Sequence, residues 1–519
     1  MIDYLFILFS LFFAYRRQLR YLRILQQEDY EAIRLIRWLL ATKSFDRRAS
    51  AVCFIAYWLP YPLFWALSGI SLLALFEEDP RKSGKIRLHL TERAQNTLYV
   101  SLFLFVILAY ALMCQFPALL PLDLAIAVQT LPFLLALSNR CTWPFEKRKQ
   151  ALFLEEAQEI IQKKNPYIIG ITGSFGKTST KAILKETLSL ALAPTFAPKK
   201  SINTLMGVTR VIREELRSAH RYAIFEMGAY RIGSIARMAK LTPPQAAIIT
   251  AVDYMHLDRF GSPENVFQAK SELAKALPAD GILVCNGDNP GARQISKDHP
   301  KRLNLLYGFD ASQPLDCHIT AYQLSERGSH FTLRWQGQDY SGRTPLFGKG
   351  AVLNCAACFT LAVALGADPQ LVMRSFALLR PVDNRLQVLR EGSGWLIRDA
   401  YNSNPAGFAT ALEVLAELPA KRRLLMTPGM IELGDKQFIA NQEIGERAAK
   451  ICHEVFLVGT ENRQALSEGL LAGGLEPERI HLCQTREEAF QAISRMRQEE
   501  DAWLIENDLT DIYEQPAGF

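Results

Sequence analysis

The chain has 519 residues, enough for about three domains at the usual ~150 residues each, which excludes a small stapled module. Its 59 Lys and Arg against 53 Asp and Glu leave a net charge of only +6, too mild to argue for a nucleic-acid partner. The excess is all N-terminal: residues 1–150 carry 18 basic and 11 acidic side chains, the remainder 41 and 42.

Met1–Tyr15 reads MIDYLFILFSLFFAY, apolar after Asp3, and the basic run RRQLRYLR follows it. A secretory leader puts its basic residues first, so this order predicts a short, uncleaved anchor. Ile33, Leu35, Ile36, Leu39 and Leu40 then fall at near-helical spacing among Arg34, Arg37 and Lys43. A basic amphipathic helix on a membrane surface has this pattern, and so does a solvated helix packed on its neighbours. No charged residue occurs from Ala49 through Phe76 or from Ala94 through Leu122, and another uncharged run follows Asp123. Each long run suffices to cross ~30 Å of hydrocarbon, and two adjacent ones are rare in soluble domains. Residues 1–150 are therefore expected to form a membrane-embedded helical region. The positive-inside tendency keeps Arg16–Arg48 cytoplasmic. Four simple spans would then put everything after Arg140 outside. One segment is accordingly expected to be interfacial or re-entrant: the one with Pro60 and Pro62, or Leu119–Leu137.

The nine cysteines are odd in number and scattered, as in a reducing compartment. Cys355 and Cys358 have C-x-x-C spacing, but inside NCAACFTLAVALG, which reads as a buried helix rather than half of a metal site.

After EKRKQ, short apolar runs alternate with helical stretches, the pattern of a parallel α/β architecture. In PYIIGITGSFGKTSTKAILKETLSLAL, a strand ends at Ile171, a glycine-rich turn follows, and a helix opens near Lys177. In such a turn Gly173, Ser174 and Gly176 let backbone N–H groups approach phosphate at a helix N-terminus. Lys177 reaches the β and γ phosphates, and the Thr178 hydroxyl beside Ser179 holds Mg²⁺. Ile171 stands where the strict G-x-x-x-x-G-K-[ST] pattern has its first glycine. The bland alternative is a glycine-rich turn with an incidental lysine.

TGSFGKTST resembles the phosphate loop of the Mur ligases, the ATP-dependent amide-forming enzymes of bacterial cell-wall synthesis. Further matches follow in family order: APKKSINTLMGVT, FEMGAYRIGSIARM, AVDYMHLDRFGSPENVFQAKSEL, CNGDNP, NCAACFTLAVALG, PVDNRLQVL, RDAYNSNPAGFATALEVL and TPGMIELGDKQFIANQEIG. The last two look most like the branch that adds D-alanyl-D-alanine. The resemblance runs from about Pro166 to Phe519. It implies a central ATP-binding domain over residues 151–381 and a C-terminal Rossmann-like domain over 382–519, beginning near Pro381.

The resemblance also implies roles. ATP and two Mg²⁺ ions would be used, Glu226 and His256 holding or orienting the second ion. Lys270 would carry a carbamate whose oxygens suit Mg²⁺; without the register from His256 it would read as an exposed helix lysine. Asn203 lies in the substrate loop, Asn354 would contact adenine, and Arg385 and Asp399 would reach ATP as the C-terminal domain closes. Asn402 and Asn404 would lie near the acceptor or hinge, or serve as turn residues before Pro405.

Arg398, Asn384 and Gly350 depart from the family pattern, as do TPGM and the ending LIENDLTDIY, where Lys-Gly-Ser is usual. Membrane segments stand where the soluble ligases carry a UDP-binding domain. The expectation is an acyl-phosphate ligase at the bacterial inner membrane, its ligase domains facing the cytoplasm. It would join an amino acid or dipeptide to a membrane lipid or lipid-linked acceptor. A ligase acting on a UDP-linked muramoyl tripeptide, a polyglutamate-type polymeriser, an ATP-driven transporter and an inactive scaffold are the alternatives. A transporter needs ionisable residues within its spans, and Asp123 alone qualifies.

Overall fold

A computed structural model describes residues 2–82, 87–115, 119–253, 257–301, 303–401 and 403–508, with the side chains of 2–7, 113, 120, 257 and 258 left aside. Two compact units divide the chain, one within residues 1–151 and the other Leu152–Asp508.

The first unit is helical: α1 Ile2–Gln27, α2 Ala32–Thr42, α3 Arg47–Tyr57, α4 Pro62–Leu75, α5 Glu92–Gln115 and α6, which begins at Leu120 and ends at Lys164. The uncharged run Ala49–Phe76 does not form the single long helix its length allows. Pro60 cannot donate a helical hydrogen bond, Tyr61 turns left-handed at φ 56°, and Pro62 opens α4 at its first turn. The run is therefore an antiparallel hairpin with arms of only ~16 and ~21 Å. Gly69 permits the close approach, since a Cβ there would lie 2.4 Å from Val52 Cγ1. α2 buries Leu35 and Leu39 but leaves Ile33 and Leu40 exposed, so its apolar stripe is wider than its neighbours cover. Among the described residues, two helices are long and apolar enough to cross a membrane, Glu92–Leu112 and Pro121–Lys164.

The second unit holds two sheets. The larger runs Thr195–Phe196, Tyr222–Glu226, Tyr167–Thr172, Ala246–Ile249, Ile282–Asn286, Leu303–Gly308 and Cys317–Ser325, all parallel, then Gly328–Trp335 and Gln338–Thr344, antiparallel. Its central strands are apolar on both faces, as a sheet covered by helices requires. The helix Lys349–Ala364 lies in one of these covering layers, with Cys355 and Cys358 fully buried; the Cys358 thiol donates to Thr180 O. The smaller sheet runs Gln387–Glu391, Gly394–Asp399, Ala502–Glu506, Arg423–Thr427, Glu454–Val458 and Ile480–Cys483, parallel except for its first strand. In the larger sheet Tyr167–Thr172 sits between strands on either side, so the loops after Thr172, Glu226 and Ile249 open from one edge. That is where open α/β sheets bind ligands.

Candidate active site

The turn after Tyr167–Thr172 is held by its neighbour strand. Ser174 N–H donates to Ala251 O (2.8 Å), and the Ser174 hydroxyl donates to Asp253 O (3.0 Å). Gly173 is required at φ 154°, because a Cβ there would fall 2.0 Å from Thr250 Oγ1 and 3.0 Å from Ala251 N. Gly176, at φ 80°, caps the helix Lys177–Ala191. This leaves the first-turn amides of that helix without intrahelical partners, a ready site for anionic oxygen.

Lys177 Nζ folds back onto Gly173 O (2.6 Å) and Ser174 O (3.1 Å). Burial lowers its ammonium to about 8, with Glu226 opposing and Arg385 adding to the shift. On the next residue, Thr178 Oγ1 donates to Glu226 Oε2 at 2.9 Å, and one turn along Lys181 Nζ lies 3.3 Å from the same oxygen. Asn203 Nδ2 donates to Glu226 Oε1 at 3.1 Å. Burial works to raise the Glu226 carboxyl, yet Lys181, Lys177 and these two hydrogen bonds outweigh it and hold the group below the ordinary range. Lys270, on the helix Pro263–Ala276, is buried. Burial, then Lys177, pushes its amine well below the usual value against the pull of Glu226.

One cavity is lined by Ser174, Gly176, Lys177, Thr178 and Ser179 from the phosphate turn, by Asn203, Glu226 and Lys270, and by Arg385 and Asn404 from the smaller-sheet region. Asn354 does not line this cavity; it accepts from Thr180 Oγ1 at 3.1 Å, and its Oδ1 lies 3.0 Å from where a Gly176 Cβ would be. Asn404 also caps the helix Pro405–Glu417, accepting from Gly407 N–H at 3.0 Å, so its turn role and its place at the cavity coexist. His256 and Asn402 lie outside the described residues.

Asp399 does not line the cavity. It accepts from Leu386 N–H at 3.1 Å, fixing the backbone beside Arg385, and burial raises its carboxyl to about 6. Glu506 stands in register beside it on the parallel neighbour strand, so a second acid occupies this face. Burial and then Asp399 push the Glu506 carboxyl well up, while Ser403 donates to it. Arg398 points away and is exposed. Asn384 sits at φ 56°, a conformation open to Gly or Asn, so its departure from the family glycine keeps the turn. Nothing lies within 4 Å of a Cβ at Gly350.

Three participants escaped the sequence reading. Lys181 was legible in GKTSTK, since a residue four beyond Lys177 shares its helix face. Ser201, 3.2 Å from Thr178 Oγ1, carried no signal. Tyr401, whose ring lies 3.9 Å under the Arg385 guanidinium, carried none either.

Residues 171–362 match the Mur ligase middle domain, and residues 384–506 the Mur ligase glutamate ligase domain. The chain is 30% identical over 312 residues to the UDP-N-acetylmuramoyl-tripeptide–D-alanyl-D-alanine ligase of Escherichia coli (strain K12), covering 58% of this chain and 66% of that one. Its like-named counterpart in Bacillus subtilis (strain 168) is 27% identical over 374 residues, covering 70% and 79%. The chain thus spans just under two thirds of the E. coli relative, and 58% of the Mycobacterium tuberculosis one. Among solved structures, MurF from Acinetobacter baumannii superposes with a TM-score of 0.61 at 25% identity, over 69% of this chain and 77% of that one. MurF from Thermotoga maritima in complex with ADP, at 23% identity and a TM-score of 0.61, shares the fold over 69% and 80%.

Proposed function

Because the chain belongs to the Mur ligase family, we propose that it is an ATP-dependent, ADP-forming carboxylate–amine ligase working at a membrane. The observation that carries this reading is a charge imbalance. Among the described residues, Lys177 and Arg385 line the cavity beside the Lys270 amine and a single lining carboxylate, Glu226, which Lys181 already pairs, while Asp399 acts on Arg385 from outside the lining. A buried surplus of cations is costly until an anion of comparable charge arrives, and a triphosphate fits that need.

In the reaction, the terminal phosphoryl group of ATP passes to a substrate carboxylate, leaving ADP and an acyl phosphate. An amine then attacks the acyl carbon and phosphate departs. Lys177 exchanges the carbonyls of Gly173 and Ser174 for phosphate oxygens, and the free amides of the helix Lys177–Ala191 hold the same group. Arg385, braced on Tyr401, approaches from the smaller-sheet side. Hydroxyl and carboxylate oxygens suit Mg²⁺, which keeps several waters and takes one or two protein ligands beside phosphate, and Thr178 and Glu226 supply this set. Bound Mg²⁺ would neutralise charge developing on the transferring group. Lys181 holds Glu226 through the same oxygen that Thr178 meets. Burial lowers the Lys270 ammonium and so favours the free amine, the form that adds CO₂ and releases a proton to become a carbamate; a second Mg²⁺ would then gain an anionic ligand there.

The amine is an amino acid or dipeptide, and the acceptor a lipid-linked cell-envelope intermediate at the inner membrane, with the ligase unit in the cytoplasm. The uncharged helices and basic surplus of residues 1–150 support that location, and anchoring raises the effective concentration of an acceptor held at the bilayer. The names of the relatives favour a second reading, in which D-alanyl-D-alanine is joined to UDP-N-acetylmuramoyl-tripeptide. Purified full-length protein given ATP, Mg²⁺, membrane lipid extract and individual amino acids or D-alanyl-D-alanine is expected to yield ADP and a new amide by mass spectrometry. ADP without an amide overturns the ligase reading. Efficient use of the UDP-linked tripeptide after removal of residues 1–150 overturns the lipid-linked acceptor.

A further inference from the structure

We infer that α3–α4 and α5–α6 are re-entrant hairpins, which enter the hydrocarbon from the cytoplasmic face and return to it, so that the chain from Arg16 onward never crosses the bilayer. The inference rests on the membrane location proposed above and concerns how that location is achieved.

Both ends of the α3–α4 hairpin close on one level of α1. Arg17 bridges Asp46 (2.6 Å), before α3, and Glu77 (2.8 Å), after α4. Arg20 reaches the same Glu77 oxygen at 2.9 Å, and Arg16 donates to Ala74 O at 3.2 Å. α5 and α6 are tied in at this level too. Gln18 donates to Ser101 Oγ at 2.6 Å, and Gln129 to Asp46 O at 2.8 Å and Ser50 Oγ at 2.6 Å.

The exposed charges on this level fix where hydrocarbon can begin. Arg47, Arg48 and Glu78 flank the hairpin base and face outward. Were α5 and α6 to span with Arg93 and Arg140 at the inner surface, the base would lie ~12–16 Å above them, near the bilayer midplane. Unpaired outward charges are not sustained there. The hydrocarbon therefore starts at or beyond the base.

Past that level every arm is too short to cross. α3 and α4 extend ~16 and ~21 Å, α5 beyond Ser101 ~21 Å, and α6 from Gln129 back to Leu120 ~14 Å, against ~30 Å of hydrocarbon. These stretches are apolar outward, with Phe54, Phe64, Phe103 and Ile107 exposed. The reversals themselves carry no charge. Trp58 and Tyr61 at the first are 73% and 82% exposed, and the sequence between Gln115 and Leu120 is FPAL. A loop in the far headgroup layer has no reason to be this apolar, whereas one halted inside the bilayer has. The single acid on these arms, Asp123, is buried within the unit rather than turned to lipid. The arrangement also satisfies the charge rule. Neither hairpin changes sides, so the basic stretch Arg16–Arg48 and the residues after Arg140 share the cytoplasm.

Two native cysteines serve as probes, since Cys114 is exposed near the deep end of α5 and Cys141 is exposed on the cytoplasmic side of the base. Full-length protein and its Tyr61→Cys variant would be treated with a charged, impermeant maleimide in spheroplasts and in inverted membrane vesicles, with sites read by peptide mass spectrometry. Cys141 is expected to react in inverted vesicles alone, and Cys114 and the Tyr61→Cys site from neither face until detergent is added. Labelling of either deep site in intact spheroplasts shows that a hairpin crosses and overturns the inference, while the membrane location stands. Release of the chain by alkaline carbonate, or labelling of the deep sites in inverted vesicles without detergent, removes the membrane location and the inference together.

Discussion

Both units bury charge, but in different proportions. In the helical unit, Arg16, Arg17 and Arg20 meet Asp46, Glu77 and Asp79, three cations against three acids, with the exposed Arg81 also joining Asp79 from the surface. In the ligase unit, Lys177, Lys181 and the Lys270 amine gather about Glu226, and Arg385 stands between Glu226 and Asp399. The first cluster is complete as it stands and so serves as a clamp. The second is incomplete without a polyanion and so serves as a site. The count of charges, not their burial, separates structure from function here.

The largest expected effect comes from removing the lysine that must meet phosphate. Lys177→Ala should lower the rate of ADP formation by about 10³-fold or more, as losing a cation at a transferring phosphoryl group does. A steady-state ADP assay checks it. A drop of less than about tenfold would mean that the surplus is merely structural.

A pair of charge deletions tests the contrast directly. Arg17→Met leaves Asp46 and Glu77 buried without their main partner and should cost about 3–5 kcal/mol of stability in the helical unit. Nucleotide affinity should be untouched. Glu226→Gln enlarges the surplus instead. It should destabilise the unliganded ligase unit yet show a larger thermal shift on adding ATP without Mg²⁺ than the parent does. Equal shifts in both proteins would break the distinction.

The pH dependence follows from Lys177. Its folded value of about 8 lies below the ordinary 10.5, so between these pH values the unfolded chain binds more protons and unliganded stability rises with pH. Bound phosphate favours the charged ammonium, so nucleotide affinity should hold below pH 8 and fall above it by up to about tenfold per unit. Calorimetric titration across pH 7 to 10 measures this, and Lys177→Arg should flatten the profile.

The smallest effect lies at Asn384. Its left-handed backbone makes Asn384→Gly close to neutral, while Asn384→Val should cost about 1–2 kcal/mol. Thermal unfolding distinguishes them.

Much of the site could be read from the chain because its parts are contiguous. Gly173 through Ser179 form one turn and one helical start, where a few residues dictate both shape and charge. Lys270 was different: alone it resembles any helix lysine, and it gained meaning through its spacing from His256. Tyr401 and Ser201 were invisible, since each acts through a neighbour that folding brings from another strand or loop. In the helical unit, the Pro60–Pro62 segment was one of two candidates for a chain reversal.

By itself the sequence determined the phosphate turn, the parallel α/β pattern and the uncharged N-terminal runs, because glycine conformations, side-chain periodicity and hydropathy are local properties. It could not determine that Ala49–Phe76 folds back on itself at the level of Arg17, or that basic side chains from distant parts of the chain gather about Glu226. Both depend on distances between residues far apart in the chain, and electrostatic energy is set by those distances rather than by residue order.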